Sequence, residues 1–213
     1  MTSTAHLERQ AFCDTFLRVG PDAPTLCDPW LTRDLAAHLV IRDSRPDLAV
    51  GMVVPQLKGR LDDAQREMAA GDWDELVDRV RQGPPSLSPA RIEAVDDVVN
   101  LVELFIHHED VLRGTPGFQR RQLEPRVEKA VWRALRRGGK LMYRRSPVGA
   151  VLVAVGYGRY AVKAPGEEGT VVLRGRPGDL LLFSFGRARV AEVDVEGPDA
   201  AVALMREARL GMS

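Results

Sequence analysis

The sequence predicts an α+β protein in which a helical bundle, residues 1–115, is followed by a small α/β module, residues 116–213. Two observations support this prediction. Before Gly114 the apolar residues recur at the three- and four-residue spacing of amphipathic helices. After Gly114 short runs rich in valine are separated by glycines, which is typical of strands and tight turns. A chain of 213 residues can bury a sizeable core, so it needs no disulfide or structural metal merely to fold.

Five amphipathic helices are predicted in the first half, with proline or glycine between most of them. Thr32 is expected to cap the second helix, and Ser88 followed by Pro89 is a typical helix start. The fifth helix is the longest and ends at Gly114. The predicted helices cover residues 5–18, 32–45, 57–70, 72–81 and 88–112.

The second half is predicted to contain one helix, then short strands, then a terminal helix. A further short helix is expected to start at Gly178, between the last two strands. The predicted strands cover residues 148–155, 159–164, 170–174 and 191–195, and the flanking helices cover residues 125–140 and 198–209.

One segment matches a dinucleotide-binding fingerprint, because a strand is followed by Gly156, Gly158 and Ala161 in the pattern GxGxxA. That fingerprint binds a pyrophosphate only where its glycines open a helix. The residues after Gly158 alternate as in a strand, and Pro165 ends them. The sequence therefore predicts a β-hairpin at this point and no nucleotide site.

The composition excludes two classes of partner. Lys and Arg together number 30, as do Asp and Glu, so there is no bulk positive charge for a nucleic acid. The longest apolar stretch, residues 148–155, is far below the ~20 residues that cross a bilayer, so no membrane partner is expected. The two cysteines, Cys13 and Cys27, lack metal-motif spacing and are expected to stay reduced in a cytoplasmic protein.

Three residues in the helical half form a candidate metal site. Glu103 and His107 are four residues apart, so they share one face of the long helix and can reach one ion. Their neighbours are apolar, and an unpaired carboxylate among them would cost several kcal/mol. His38 lies in a similar apolar stretch of the second helix. Two histidines and one carboxylate bind a divalent ion and leave coordination positions open.

The spacing also allows a reading without metal. Glu103 and His107 can form a local hydrogen-bonded pair, with His38 a satisfied histidine of the core. His108 points about 100° away from His107, so it is expected at the surface or outside the ligand set. Asp110, three residues after His107, is placed to orient a metal-binding side chain without itself binding the ion.

Arg42 and Arg45 follow His38 by one and two helical turns, and they are candidates for binding the carboxylate of a substrate or cofactor. Pairing with Asp43 and Asp47 at the surface is the alternative. Cys13 is expected inside a packed helix stripe and Cys27 in a proline-rich loop, so neither is expected to act as a nucleophile.

The segments around these residues resemble a known family. Trp30-x3-Asp34-Leu-x2-His38 and Glu103-x3-His107 are similar to the metal-binding motifs of the mycothiol-dependent maleylpyruvate isomerase family, within the DinB/YfiT-like superfamily. The segment 173–187 resembles the sterol-carrier-like C-terminal module of that family. The HHED sequence at residues 107–110 and the RxxRPD sequence at residues 42–47 are most similar to an actinobacterial metal-binding branch.

The resemblance implies a DinB-like four-helix bundle with His38, Glu103 and His107 as ligands of a divalent metal. Zinc is the expected ion, with nickel or iron as alternatives. It also implies mycothiol as a cofactor, a small-molecule electrophile as substrate, and thiol transfer or isomerisation as the reaction. By their position, Arg42 and Arg45 are the candidates to bind that cofactor. The alternative function is a non-enzymatic metal-binding protein whose C-terminal module holds an apolar ligand.

Overall fold

The computed structural model describes residues 3–49, 54–85 and 100–211, and it divides into two compact units. The first unit is residues 1–121 and the second is residues 122–213. The first unit is helical and the second combines helices with a four-stranded sheet, so the predicted α+β class is confirmed. The assignment of metal binding to residues 1–115 and of a separate module to residues 116–213 stays a prediction.

The helices of the first unit follow the predicted order. The described helices are α1 (Thr4–Val19), α2 (Thr32–Ser44), α3 (Pro46–Ala49), α4 (Lys58–Ala69), α5 (Trp73–Gln82) and α6 (Leu101–Leu112). Helix α3 and a 3₁₀ turn at Pro55–Leu57 were not predicted. The predicted start of the last helix, at residues 88 and 89, lies outside the described residues.

Helix α1 is central to the packing of this unit. It packs against α5 and α6, while α2 packs against α4 and α5. The apolar side of α1 is fully buried at Phe12 and Phe16, whose rings stack 4.2 Å apart. A buried ion pair, Arg9 Nη1 to Asp43 Oδ2 at 2.7 Å, joins α1 to α2.

Helix α2 begins one residue away from the predicted cap. Leu31 is the N-cap, and its backbone N–H donates to the Asp34 carboxylate at 2.9 Å. Thr32 is instead the first helical residue, and its hydroxyl donates to the Gly20 carbonyl at 2.6 Å. Asp34 therefore does the capping from inside the first turn, where a carboxylate also interacts favourably with the helix dipole.

The second unit is built on a mixed sheet. Its elements are α7 (Pro125–Met142), β1 (Gly149–Ala154), β2 (Gly158–Lys163), β3 (Thr170–Gly175), α8 (Pro177–Ser184), β4 (Val193–Glu196) and α9 (Asp199–Glu207). The strand order is β2-β1-β3-β4, with β1 and β3 parallel and the two outer pairs antiparallel. Strands β1 and β2 form the hairpin that the sequence predicted in place of a nucleotide site.

Helices α7 and α8 pack together in this unit, and α8 also contacts β1, β3 and β4. A buried hydrogen bond of 3.0 Å joins the Tyr143 hydroxyl, just after α7, to the Ser184 hydroxyl at the end of α8. Across the described parts of the chain, no helix is both long enough and apolar enough to cross a membrane.

Candidate metal centre

Helix α2 positions His38 through its buried neighbours. Ala37 and Leu39 are at most 1% exposed, so the helix is fixed in the core on either side of His38. The His38 side chain itself keeps 13% exposure. Its ring packs against the Trp30 ring with the centroids 5.1 Å apart. These contacts hold the imidazole at the edge of the core.

Helix α6 positions Glu103 and His107 in the same way. Leu104 and Phe105 between them are 1% exposed, which fixes the rotation of the helix. The side chains of Glu103 and His107 keep 27% and 13% exposure. Because they are one turn apart, both lie on the side of α6 that approaches α2.

The three side chains converge on one point. The Glu103 Oε1 atom lies 3.4 Å from His38 Nε2 and 3.2 Å from His107 Nε2. The two imidazole rings meet edge to face, with centroids 5.4 Å apart. One ligand atom from each residue lies within 4.8 Å of the other two. Two imidazole nitrogens and a carboxylate oxygen form a donor set that fits zinc, nickel or iron.

The second ring nitrogen of His107 contacts a different pair of residues. His107 Nδ1 lies 3.0 Å from Asp110 Oδ2. The Cys27 thiol donates to the same oxygen at 3.0 Å, and its sulfur is 3.7 Å from His107 Nδ1. The structure therefore places Asp110 behind His107, where the sequence suggested an orienting role. It also brings in Cys27, which the sequence did not predict at this site.

Cys27 reaches this position because its loop lies directly on the end of α6. The Leu26 N–H donates to the Asp110 carbonyl at 3.0 Å. A Cβ atom at Gly114 would lie 2.2 Å from the Pro24 carbonyl oxygen, so only glycine permits the approach. No sequence spacing links Cys27 to His107, 80 residues away, and the close approach at Gly114 is visible only in the structure.

The pKa values of the cluster follow from its hydrogen bonds. Burial would raise the pKa of Glu103, but hydrogen bonds from His107 and His38 and the charge of Arg42 hold it far below its usual value. Burial would lower the pKa of His107, but hydrogen bonds to Asp110, Cys27 and Glu103 raise it well above its usual value. In the absence of a metal ion, His107 is therefore protonated, and its positive charge compensates the two carboxylates on either side of it, Glu103 and Asp110.

The two arginines of α2 have different surroundings. Arg42 donates to the Asn100 side-chain oxygen at 3.0 Å and to Asp43 at 3.1 Å, and its Nε lies 3.7 Å from Glu103 Oε1. Arg45 forms two hydrogen bonds with Asp47, at 2.8 and 2.9 Å, and its side chain is 47% exposed. The pairing that the sequence left open is thus seen for both arginines: Arg45 pairs with Asp47 at the surface, and Arg42 pairs with Asp43 beside the cluster.

His108 faces away from the cluster, as its position on the helix required, but it is not at the surface. It is only 2% exposed and faces α1. Its Nδ1 lies 2.8 Å from the Glu8 carboxylate and its Nε2 lies 2.8 Å from the Thr15 hydroxyl. The expectation of a surface position was wrong, because α1 covers this side of α6.

The first unit contains a cavity of about 500 Å³. Trp30, whose ring contacts His38, forms one wall, and Asp34, Lys58 and Gln65 line the rest together with Pro29, Asp62 and Arg66. The lining combines one aromatic face with hydrogen-bond donors and acceptors, which suits a polar small molecule.

Comparison with solved structures gives a match over nearly the whole chain. The crystal structure of the mycothiol-dependent maleylpyruvate isomerase superposes with a TM-score of 0.59 at 14% sequence identity, covering 92% of this chain and 91% of that one. The chain shares that enzyme's fold. A mutant of the same isomerase gives a TM-score of 0.58 at 14% identity, covering 93% and 97% of the two chains. The resemblance indicated by the sequence motifs is therefore confirmed in the fold.

The other comparisons give no relative. No family model matches the sequence, and no curated protein matches it. The chemical assignment of the cluster consequently depends on its own geometry.

Proposed function

We propose that the protein binds one divalent ion through His38, Glu103 and His107 and uses it to activate a small thiol. The observation that carries this proposal is the convergence of three ligand atoms from α2 and α6 within 4.8 Å of one another. They lie in a fold shared with an enzyme whose name states that it depends on mycothiol. We infer a distant relationship to that enzyme, with mycothiol as cofactor and a small-molecule electrophile as substrate.

We further propose a zinc ion and a cytoplasmic location, since imidazole and carboxylate ligands suit zinc in a reducing compartment. Within this proposal, residues 1–115 form a DinB-like four-helix metal-binding domain. Residues 116–213 form a sterol-carrier-like module. Both assignments extend the fold similarity beyond the architecture itself.

A bound divalent ion would supply Lewis acidity, which lowers the pKa of a thiol or a water and yields a nucleophile near neutral pH. His107 must lose the proton on Nε2 before that atom can bind an ion. Asp110 accepts the Nδ1–H of the same ring at 3.0 Å, which fixes the ring orientation and directs the Nε2 lone pair towards Glu103.

Arg42 is the better placed of the two arginines to bind an anionic group of the thiol or the electrophile. Its Nε is 3.7 Å from Glu103, so a carboxylate held by its guanidinium would lie next to the ligand cluster. Arg45 can contribute only if its pair with Asp47 opens. The cavity beside Trp30 offers room for the remainder of the ligand.

Metal content tests the ligand set directly. The protein purified without chelator should contain close to one divalent ion per chain, measured by plasma mass spectrometry. The variants His38→Ala, Glu103→Gln and His107→Ala should each lose it. His6→Ala is the matched control, because His6 is an exposed histidine on α1. A full ion content in the three cluster variants would contradict the proposed ligand set.

Calorimetry tests the thiol step. Mycothiol should bind the metal-loaded protein and not the metal-free protein, with release of a proton, because coordination requires the thiolate. Titrations in two buffers with different ionisation enthalpies measure that proton. Equal affinity with and without metal would instead favour a non-enzymatic protein with a structural metal and an apolar ligand in the C-terminal module.

A further inference from the structure

His107 has two ring nitrogens, and each faces a different set of metal-binding groups. Nε2 faces Glu103 and His38, the set proposed above. Nδ1 faces Asp110 at 3.0 Å and the Cys27 sulfur at 3.7 Å, and the sulfur lies 3.0 Å from the same Asp110 oxygen. These three ligand atoms also lie within 4.8 Å of one another, so the second set is as compact as the first.

The two sets differ in their chemistry. The first offers two imidazoles and a carboxylate, whereas the second offers a sulfur, an imidazole and a carboxylate. Thiolate is a soft ligand that favours soft ions such as cadmium and copper(I) over hard cations. Asp110 is completely buried, and Cys27 is only half-buried. A thiophilic ion can therefore approach from the Cys27 side and find a carboxylate already in place.

The backbone holds Cys27 in this position. Its N–H donates to the Thr25 hydroxyl at 3.0 Å, and that hydroxyl donates to the Trp30 carbonyl at 2.8 Å. The preceding N–H, of Leu26, is bonded to the Asp110 carbonyl. The loop is consequently hydrogen-bonded both internally and to α6. Binding of an ion at Cys27 then requires the loss of protons and only small side-chain shifts.

We propose that Cys27, His107 Nδ1 and Asp110 form a second metal position that takes thiophilic ions. Binding replaces the thiol proton and the Nδ1 proton with the metal, and both protons leave to solvent. A neutral imidazole has one lone pair, so His107 serves one position at a time and the two positions exclude each other near neutral pH. The second position does not depend on the proposed thiol chemistry of the first.

Cadmium titration of the metal-free protein tests this position, with a phosphine as reductant so that no added thiol competes. The ultraviolet sulfur-to-cadmium charge-transfer band should appear and saturate at one ion per chain. Cys27→Ser should abolish the band. Cys13→Ser is the matched control and should retain it, because Cys13 is buried in α1 and burial raises the pKa of its thiol to about 11.

His38→Ala separates the two positions. It removes a ligand of the first set only, so the band should persist in this variant while retention of zinc is lost. Loss of the band in His38→Ala would show one combined site and overturn the proposal. Absence of the band in the wild type, or its persistence in Cys27→Ser, would also overturn it and leave Cys27 and Asp110 as hydrogen-bonding partners of His107.

If the Cys27→Ser variant fails to fold, as judged by its thermal melt, chemical modification of the wild-type protein replaces it as the test. Iodoacetamide should alkylate the half-buried Cys27 of the wild-type protein before the buried Cys13. Protein alkylated at Cys27 alone, as shown by peptide mass spectrometry, should give no charge-transfer band. An unchanged band after that alkylation would overturn the proposal as well.

Discussion

The two neighbouring histidines of α6 lie in opposite environments. His107 faces α2, keeps 13% of its side chain exposed and is surrounded by groups that can themselves bind a metal. His108 faces α1, with its side chain 3% exposed, and its ring stacks on Phe12 at 4.8 Å. The partners of each ring, rather than the residue type, therefore decide which histidine is available for chemistry.

The α1 side of α6 is a closed ionic network. Glu8 accepts from His108 Nδ1 at 2.8 Å and from Arg121 Nη1 at 3.1 Å. Arg121 also donates to Glu109 at 2.7 Å, and Arg113 donates to the same residue at 2.6 Å. Burial lowers the pKa of His108, so we assign it as neutral, with its Nδ1–H donating to the Glu8 carboxylate and its Nε2 accepting from Thr15.

The two sides of helix α6 thus have different roles. The α1 side satisfies its buried charges within the protein and fixes the rotation of α6. The α2 side presents Glu103 and His107 together with groups whose protons can be exchanged for a metal ion. The following predictions test this division, beginning with the largest expected effect.

His107→Ala and His108→Ala should have opposite consequences. His107→Ala should reduce the metal content from close to one ion per chain to near zero, because it removes one of the three proposed ligands. His108→Ala should retain the metal and destabilise the fold, because it removes one buried hydrogen-bond partner from each of Glu8 and Thr15. Metal analysis and denaturant unfolding measure the two effects. Loss of metal in His108→Ala would show that the metal ligands lie on the α1 side of α6, contrary to the proposal.

Glu8→Gln should be the more damaging change on the α1 side. Burial would raise the pKa of Glu8, but His108 and Arg121 lower it to about 2. Removing one partner of such a buried network costs about 3–5 kcal/mol. Urea unfolding at neutral pH measures this loss, and the metal content should be unchanged.

The same substitution should remove a pH dependence. A carboxyl group whose folded-state pKa lies below the ordinary 4.5 stabilises the fold at higher pH. That stabilisation is complete above about pH 4.5 and is lost as the pH falls towards about 2. The difference in unfolding free energy between wild type and Glu8→Gln should therefore shrink across this interval. A difference that stays constant down to pH 2 would contradict an ionised Glu8.

Asp110→Asn should weaken metal binding without abolishing it. An outer hydrogen-bond partner of a metal-binding histidine typically contributes 10- to 100-fold in affinity, so a loss of about that size is expected. Asp110 also raises the pKa of His107 in the metal-free protein. The affinity of the wild type should thus rise with pH up to that elevated pKa, and the rise should end at a lower pH in the variant. An unchanged pH profile would leave Asp110 with a purely structural role.

The sequence predicted the α2 side of α6 better than the α1 side, for physical reasons. Glu103 and His107 are linked by helical periodicity, and the apolar residues around His38 showed that it was internal. The contact between His108 and Glu8 joins residues 100 positions apart and depends on how α1 packs on α6. The position of Cys27 depends on a loop conformation that Gly114 permits. Neither the His108–Glu8 contact nor the position of Cys27 can be read from the spacing of residues along the chain.

The smallest effect should distinguish Arg42 from Arg45 on α2. Arg42 is 18% exposed at its side chain and lies 3.7 Å from Glu103, so Arg42→Ala removes a cation next to the proposed thiol site. A hydrogen bond to a charged group contributes about 1.5–3 kcal/mol, so mycothiol affinity should fall on the order of 10-fold. Arg45 is already paired with Asp47 at the surface, so Arg45→Ala should weaken binding by less than about 3-fold. Calorimetry on the metal-loaded variants measures both values. A larger loss in Arg45→Ala than in Arg42→Ala would mean that the thiol approaches from the exposed end of α2 and not from beside Glu103.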